Sequence, residues 1–202
     1  MTLHASQLLP RDFYARPTRT VARELLGCRL VRQLNGLRLS GIIVEAEAYI
    51  GESDLACHAK AGKTQRTAVM YGLAGFSYVY FTYGMHWMLN VVTEEPNFPA
   101  AVLLRAIEPI EGIDVMQRLR GGKDLKFLGR GPACLTQAMG IKRTENGLDL
   151  CAGDSSLWIE QGNGLLKREV AVSPRVGLGN TPEPWLSKPW RYFVKGSTFV
   201  SR

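Results

Sequence analysis

Two glutamates and a tyrosine alternate along one predicted strand, in the sequence IIVEAEAYI. Because successive side chains of a strand point to opposite faces, Glu45, Glu47 and Tyr49 are predicted to share one face with Ile43. The other face is predicted to be apolar, with Ile42, Val44, Ala46, Ala48 and Ile50. A partly desolvated carboxylate in a cleft could act as a general base. A fully solvated strand face would explain the same row.

Three tyrosines lie on or beside a predicted hairpin. In FSYVYFT, Tyr78 and Tyr80 fall on one strand face, and the chain turns at Tyr83 and Gly84 before it continues as HWMLNVV. Ordinary sheet packing would explain Tyr78, since strands are rich in aromatic residues. Tyr83 differs because a hairpin tip has little core to fill. Proteins that bind the minor groove insert such side chains between base steps.

Single polar residues interrupt apolar segments at three further positions. Asn90 lies inside HWMLNVV, Arg105 lies inside AVLLRAIEP, and His58 lies in the loop sequence ACHAKAG. Buried amide and guanidinium groups need partners, so Asn90 and Arg105 are either satisfied structural groups or ligand contacts. From the residues alone, both explanations remain open for all three positions.

Metal and cofactor motifs are missing from the sequence. The four cysteines, at positions 28, 57, 134 and 151, form no CxxC pair, and the three histidines lack zinc-site spacing. The sequence has no Gly-rich phosphate loop and no GxSxG motif. We therefore expect no metal, no cofactor and no disulfide framework, as suits a reducing cytosol.

Hydrophobic periodicity predicts an α+β fold with a largely antiparallel sheet. One helix is expected over residues 13–27, and a hairpin is expected to join strands 28–34 and 37–50 through Asn35 and Gly36. Further strands are predicted at 76–82, 86–93, 100–107, 156–161 and 190–196, and helices at 110–120 and 132–140. The stretches 51–75 and 162–188 are predicted to be long surface loops.

Composition limits the class of protein. With 202 residues, 46% of them hydrophobic, the chain is predicted to form a single domain spanning 1–202. Because the first thirty residues lack a signal-peptide pattern and no apolar run is long enough to span a bilayer, we expect a cytoplasmic protein without membrane contact. The net charge of +7 favours a polyanionic partner such as nucleic acid, although the basic residues are scattered.

Three segments, VEAEAYIGESDLACH, YVYFTYGMHWMLNVV and AVLLRAIEPIEG, together resemble the alkyladenine (3-methyladenine) DNA glycosylase family. The similarity extends through LGRGPACLTQAMGI and PRVGLG to KPWRYFVKGS, and so covers nearly the whole chain. It implies a mixed α/β domain with a curved antiparallel sheet and a projecting β-hairpin. The sequence has no long N-terminal extension, and in this it resembles the compact bacterial-type members of the family.

The same resemblance implies roles for individual residues. Glu47 would be the general base and Arg105 would lie near the water and the target phosphate, whereas spacing alone does not rank Glu47 above Glu45. The flipped base would be bound by Tyr49, His58, Tyr80 and Asn90, with Asn90 excluding guanine. Tyr83 would enter the duplex. The remaining DNA contacts would be Tyr78, Met85, Thr64, Arg130 and Gly131, with Arg130 standing where the family has a small hydroxyl residue.

The implied partner is double-stranded DNA that contains alkylated or deaminated purines, bound by a monomer close to the nucleoid. Because the site strands carry no lysine amine, we expect an abasic product without strand cleavage. Three alternatives remain: a non-catalytic module that binds damaged DNA, an enzyme that removes bases from RNA, and a formyl-transferring relative of similar topology. The sequence does not rank 3-methyladenine, 7-methylguanine, hypoxanthine and ethenoadenine.

Overall fold

One antiparallel sheet organises the molecule. The structure, a computed structural model, describes residues 8–162 and 169–201, so residues 163–168 of the predicted loop 162–188 lie outside it. Within the described residues, six strands follow the order β3-β4-β5-β2-β1-β6, and β7 and β8 are attached to the middle of the sheet because β8 pairs with β2. The strands are β1 Arg29–Leu34, β2 Leu37–Ile50, β3 Ser77–Thr82, β4 His86–Val92, β5 Ala100–Glu111, β6 Leu157–Glu160, β7 Val170–Ser173 and β8 Arg191–Val194. The predicted α+β fold is confirmed.

Short helices cover the sheet. They are α1 Arg11–Tyr14, α2 Thr18–Glu24, α3 Ile113–Leu119, α4 Leu125–Leu128 and α5 Pro132–Ala138. The prediction of one helix over 13–27 was wrong, because the chain breaks between α1 and α2 at Pro17. Proline disfavours a helical residue before it and removes a hydrogen-bond donor. The predicted helix 110–120 begins only at Ile113, because β5 continues to Glu111 and Gly112 has a φ of 71°.

The long strand β2 changes its neighbour halfway along its length. Up to Ile42 it pairs with β1 on one side, whereas Glu45 to Glu47 pair there with β8. On the other side it pairs with β5 from Ser40 to Ile50. The stretch that contains both glutamates therefore lies in the interior of the sheet. Both glutamate side chains are fully buried, so the face that they share is not solvated.

A β-bulge at Val44 corrects the predicted faces of β2. Ile43 pairs with Ile107 and Glu45 with Ala106, so Val44 is an extra residue in the ladder. Such a residue shifts the alternation by one. Ile43 accordingly packs in the main core with Ala46 and Ala48, and not on the face of the glutamates. Ile42 and Val44 do not belong to that core.

The predicted loops contain regular structure. Residues 51–75 include two short 3₁₀ helices, His58–Ala61 and Ala68–Tyr71, and the stretch 162–188 includes β7. The first 3₁₀ helix positions His58, and the segment after β7 contacts Glu47 through the N–H of Val176. No helix in the described part of the chain is both long and apolar enough to cross a membrane.

Candidate active site

A cavity of about 380 Å³ opens between the hairpin β3–β4, the 3₁₀ helix His58–Ala61 and the segment 176–181. We call it the central cavity. Its walls combine aromatic rings with polar groups, among them Tyr49, His58, Tyr78, Tyr80, Asn90 and Arg105. The structure thus brings these six predicted site residues together from five separate elements. A flat ring with polar edges is the kind of ligand that such walls suit.

Glu47 lies directly beneath the wall of the central cavity. Its side chain is fully buried and accepts hydrogen bonds from Tyr49 Oη at 2.8 Å and from the backbone N–H of Val176 at 2.7 Å. Arg105 Nη1 lies 3.3 Å from its Oε2. All three of these residues line the cavity. Burial raises the pKa of Glu47, although Arg105, the Val176 N–H and Tyr49 act against that rise.

Glu45 has a different environment two residues away. Its Oε1 accepts hydrogen bonds from Arg105 Nε at 2.8 Å and Arg191 Nε at 2.7 Å, and its Oε2 accepts one from the Ser201 N–H at 2.7 Å. Burial alone would raise the pKa of Glu45, but Arg105, Arg191 and Ser201 outweigh it and lower that pKa. Glu45 is therefore a fully paired anion that holds Arg105 in place beside Glu47.

Three rings form one aromatic wall. Tyr78 Oη lies 2.9 Å from His58 Nδ1, and the rings of His58 and Tyr80 are 4.4 Å apart in an edge-to-face arrangement. Burial, followed by the nearby Arg66 and Lys60, lowers the pKa of His58 to about 4. Burial also raises the pKa of Tyr78 to about 12. At neutral pH the wall is therefore uncharged and electron-rich. Tyr78 is buried in this wall and is not on the exposed surface.

Asn90 is buried on β4, opposite Tyr78 in the ladder. Its Nδ2 donates a hydrogen bond of 3.0 Å to the Tyr78 carbonyl, which fixes the amide against the neighbouring strand. The same side chain lines the central cavity. The geometry accommodates both predicted roles, since one end of the amide supports the sheet and the residue borders the cavity.

Tyr83 forms the tip of the hairpin β3–β4. The turn closes with a hydrogen bond from Met85 N to Thr82 O, and both central residues, Tyr83 and Gly84, have positive φ values. Tyr83 is 76% exposed and Met85 is 68% exposed. A bulky residue in the left-handed region is uncommon and strained. The turn thus presents two large apolar side chains to solvent, beside the cavity that Tyr83 also lines.

Three further predicted DNA contacts are not among the residues that line the central cavity, although one of them, Gly131, directly precedes Pro132, which does line it. Thr64 is exposed, and its hydroxyl lies 3.0 Å from that of Thr67. Arg130 is half-buried and donates from Nε to the Val200 carbonyl at 2.8 Å. Gly131 is buried and precedes α5 with a φ of 114°. The structure does not bring these three residues into the wall.

Sequence reasoning missed a buried ion pair behind the site. Arg175 and Asp54 are fully buried and make a two-pronged contact with N–O distances of 2.6 and 2.9 Å. The Arg175 guanidinium lies 4.6 Å from the centre of the Tyr49 ring, and the next residue is Val176. Arg175 belongs to the stretch PRVGLG, which the resemblance includes without a role. The sequence signal that could have pointed to Arg175 was an arginine directly before a Gly-rich turn.

Metal chemistry has no candidate centre in the part of the chain that the structure describes. No three His, Cys, Asp or Glu side chains come together there in a way that could hold an ion. Cys28 and Cys57 are buried free thiols, and burial raises the pKa of Cys57 to about 12. The ionisable groups that line or underlie the central cavity are those already described, together with Lys60 at its rim.

Known proteins resemble the chain over nearly its full length. The protein-family model described as "Methylpurine-DNA glycosylase (MPG)" matches residues 12–198. A relative from Methanocella arvoryzae is 49% identical and covers 96% of both chains. Another, from Carboxydothermus hydrogenoformans, is 47% identical over 96% of this chain and 99% of its own. Both carry the name "Putative 3-methyladenine DNA glycosylase". With the buried carboxylate and the aromatic cavity, these matches show that the chain belongs to the methylpurine-DNA glycosylase family.

Proposed function

We propose that this protein flips an alkylated or deaminated purine out of duplex DNA, binds it in the central cavity and hydrolyses its N-glycosidic bond. The observation that carries the proposal is the buried Glu47 carboxylate, held by three groups that line an aromatic cavity. A base inside a duplex cannot reach such a site, so extrusion is required. Damaged bases leave the stack most easily because their pairing is weakened.

The aromatic wall supports a cationic substrate. Alkylation at N3 or N7 gives a purine a positive charge, and electron-rich ring faces attract cations. His58 is neutral at physiological pH because its pKa is lowered to about 4, so it adds no repulsive charge. A neutral deaminated purine would rely on stacking and on polar contacts at its edges. The basic net charge of +7 favours the DNA backbone as partner.

Glu47 would accept the proton of the attacking water. A carboxylate with a raised pKa is a stronger base than an ordinary glutamate, and Glu47 has such a pKa. Arg105 lies at the same carboxylate and would orient the water, whereas the Val176 N–H holds the carboxylate itself. Glu47 lies beneath the cavity wall, so water has to pass between Tyr49, Arg105 and Val176 to reach its carboxylate when the substrate is bound. The leaving purine already carries charge, so base activation of water is the main requirement.

The amines near the site favour a monofunctional reaction. A lyase needs an amine nucleophile at C1′. Lys60, at the rim of the central cavity, donates its Nζ to the Leu55 carbonyl at 2.8 Å and is exposed. The strands β2 to β5 carry no lysine. We therefore propose that the product is an abasic site in an intact strand, released by a monomer that works close to the nucleoid.

A gel assay with single-lesion duplexes tests the proposal. Duplexes that contain 3-methyladenine analogues, 7-methylguanine, hypoxanthine or ethenoadenine are incubated with the protein, and each sample is split before alkali treatment. We expect strand breaks only after alkali. Breaks without alkali would contradict the monofunctional reaction. Lesion binding without any base release would instead support a non-catalytic module.

The substitution Glu47→Gln isolates the general base. We expect it to retain binding of lesion DNA and to lower the single-turnover rate by about 10²–10⁴-fold, the usual cost of losing a general base. Glu52→Gln is the matched control, because Glu52 is exposed and is hydrogen-bonded by Tyr71 outside the central cavity. A rate for Glu47→Gln within about threefold of the control would exclude Glu47 as the base.

A further inference from the structure

The hairpin β3–β4 has a second cavity on its other side. This groove, also about 380 Å³ in volume, is lined by Arg66, Tyr80, Phe81, Trp87, Arg143 and Asn146, with Gln65 and Val79. We call it the hairpin groove. Phe81 is 46% exposed, and its ring lies 4.8 Å from that of Trp87. Tyr80 borders both the hairpin groove and the central cavity, so the hairpin is a wall between them.

The charged side chains that line the hairpin groove are all positive. Two arginines and no acidic residue line it among the described residues. Arg143 is exposed and makes no ion pair within residues 8–162 and 169–201. The acidic residue of the same turn, Glu145, points inward, where Arg32 binds its carboxylate at 2.7 Å. The groove therefore presents uncompensated positive charge beside exposed rings, which suits a nucleic-acid backbone and its sugars.

The turn that carries Arg143 is fixed to the hairpin. Asn146 Oδ1 accepts a hydrogen bond of 2.9 Å from the N–H of Val79 on the edge strand β3. Ser77 Oγ, on the same strand, donates to the Glu145 carbonyl at 2.5 Å. Arg66 also contacts the hairpin, with its guanidinium 4.9 Å from the centre of the Tyr80 ring. Phe81 and the turn that carries Arg143 therefore have a fixed position relative to the hairpin that ends at Tyr83.

From this arrangement we infer that the hairpin groove binds the DNA strand opposite the damaged nucleotide. The inference rests on the proposed function. If Tyr83 enters the duplex and the damaged nucleotide passes to the central cavity on one side of the hairpin, the other side of the hairpin faces the remaining strand. Arg143 and Arg66 bind its phosphates, and Phe81 and Trp87 pack against its sugars or its unpaired base. The groove thereby holds the duplex open while the cavity is filled.

Uncharged methylphosphonate linkages, placed in one DNA strand at a time, show which strand the hairpin groove binds. Fluorescence anisotropy is measured on a lesion duplex with consecutive methylphosphonates placed opposite the lesion, or instead in the lesion strand. We expect the patch opposite the lesion to weaken binding by the native chain about three- to tenfold, and to weaken binding by Arg143→Ser less, because only Arg66 still contacts those phosphates. The lesion-strand patch should weaken both proteins equally. For Arg143→Ser on the unmodified duplex, the slope of log affinity against log salt should fall by about 1.

Arg118→Ser is the matched control, because Arg118 is an exposed arginine paired with Asp114 on α3, outside both cavities. The control should behave as the native chain does. The inference is overturned if Arg143→Ser binds the unmodified duplex as tightly as the control, or if it loses sensitivity to the lesion-strand patch instead. These are binding readouts, so they remain interpretable if no base is released. Failure of the proposed function would appear separately, in the excision assay.

Discussion

Glu45 and Glu47 are the same residue type, two positions apart on one strand face, and their pKa values shift in opposite directions. Four hydrogen-bond donors, two of them cationic, bind Glu45, and the pKa of that carboxyl is lowered. Glu47 has neutral donors on both oxygens and one longer contact to Arg105, and burial raises its pKa. Neighbouring groups thus separate a structural anion from a candidate base, which residue type and spacing could not do.

The raised pKa of Glu47 predicts the acid limb of the reaction. Only the deprotonated carboxylate accepts a proton, so the excision rate should fall as pH drops through a pKa above the ordinary glutamate value. His58 has a pKa lowered to about 4, so it is mostly neutral above about pH 5 and contributes little change there. Tyr49→Phe removes a hydrogen bond that lowers the pKa of Glu47, so the limb should move to higher pH. Single-turnover rates are measured across pH for the native chain and for Tyr49→Phe. If the acid limb has the same midpoint in both proteins, Glu47 is not the group that titrates.

Asn90 is predicted to control selectivity. A cavity that accepts several damaged purines needs a way to exclude guanine, which differs from hypoxanthine by its N2 amino group, and a repulsive contact is a common device. Asn90→Ser should raise excision of unmodified guanine, above all from mismatches, and keep hypoxanthine excision within about tenfold. The alternative is purely structural, because Asn90 Nδ2 binds the Tyr78 carbonyl. A lower melting temperature with an unchanged ratio of guanine to hypoxanthine rates would support that alternative.

At the level of elements, the hairpin β3–β4 places Tyr83 outside the core. Tyr83→Ser should leave the melting temperature unchanged, because the side chain is mostly exposed. It should reduce excision of well-paired lesions more than that of mismatched ones, since the inserted side chain offsets an unstacking cost of a few kcal/mol. 2-Aminopurine fluorescence beside the lesion reports the unstacking. Equal losses on both kinds of duplex would contradict the wedge role.

Regular elements could be predicted well where periodicity dominates. Strand β2 begins and ends at the predicted residues, 37 and 50, and the strands β1, β3 and β4 agree within one residue. The bulge at Val44 could not be predicted, because nothing in IIVEAEAYI marks an extra residue. Strand β7 was missed because its four residues, VAVS, pair only with β8, a partner about 20 residues away.

The site was predicted in part. The resemblance supplied residues that the structure gathers around one cavity, such as His58 and Asn90. The contacts of Arg105 with both glutamates could not be read from spacing, since 58 to 60 positions separate them along the chain. The same limit hid Arg175 and its partner Asp54, which 121 positions separate. Only the folded sheet brings such groups within hydrogen-bond distance.

Across the whole molecule, the pair Arg175–Asp54 ties the segment after β7 to the loop after β2. Arg175→Met should lower the free energy of unfolding by about 3–5 kcal/mol, because it leaves a buried carboxylate uncompensated. Arg118→Met makes the same change in an exposed pair and should cost less than about 1 kcal/mol. Urea unfolding measures both. Excision by Arg175→Met should also fall, because Val176 and Tyr49 lose their support; a stability loss no larger than the control's would contradict this account.

Tyr80 is a single ring that closes two compartments, and this has a thermodynamic consequence. If occupancy of one compartment changes the preferred rotamer of that ring, it changes the affinity of the other compartment, and linkage requires the effect to be equal in both directions. Where that coupling is favourable, a strand in the hairpin groove increases the affinity for a purine in the central cavity by the same factor as the purine increases the affinity for the strand. Release of the free purine would in turn loosen the enzyme from its abasic product.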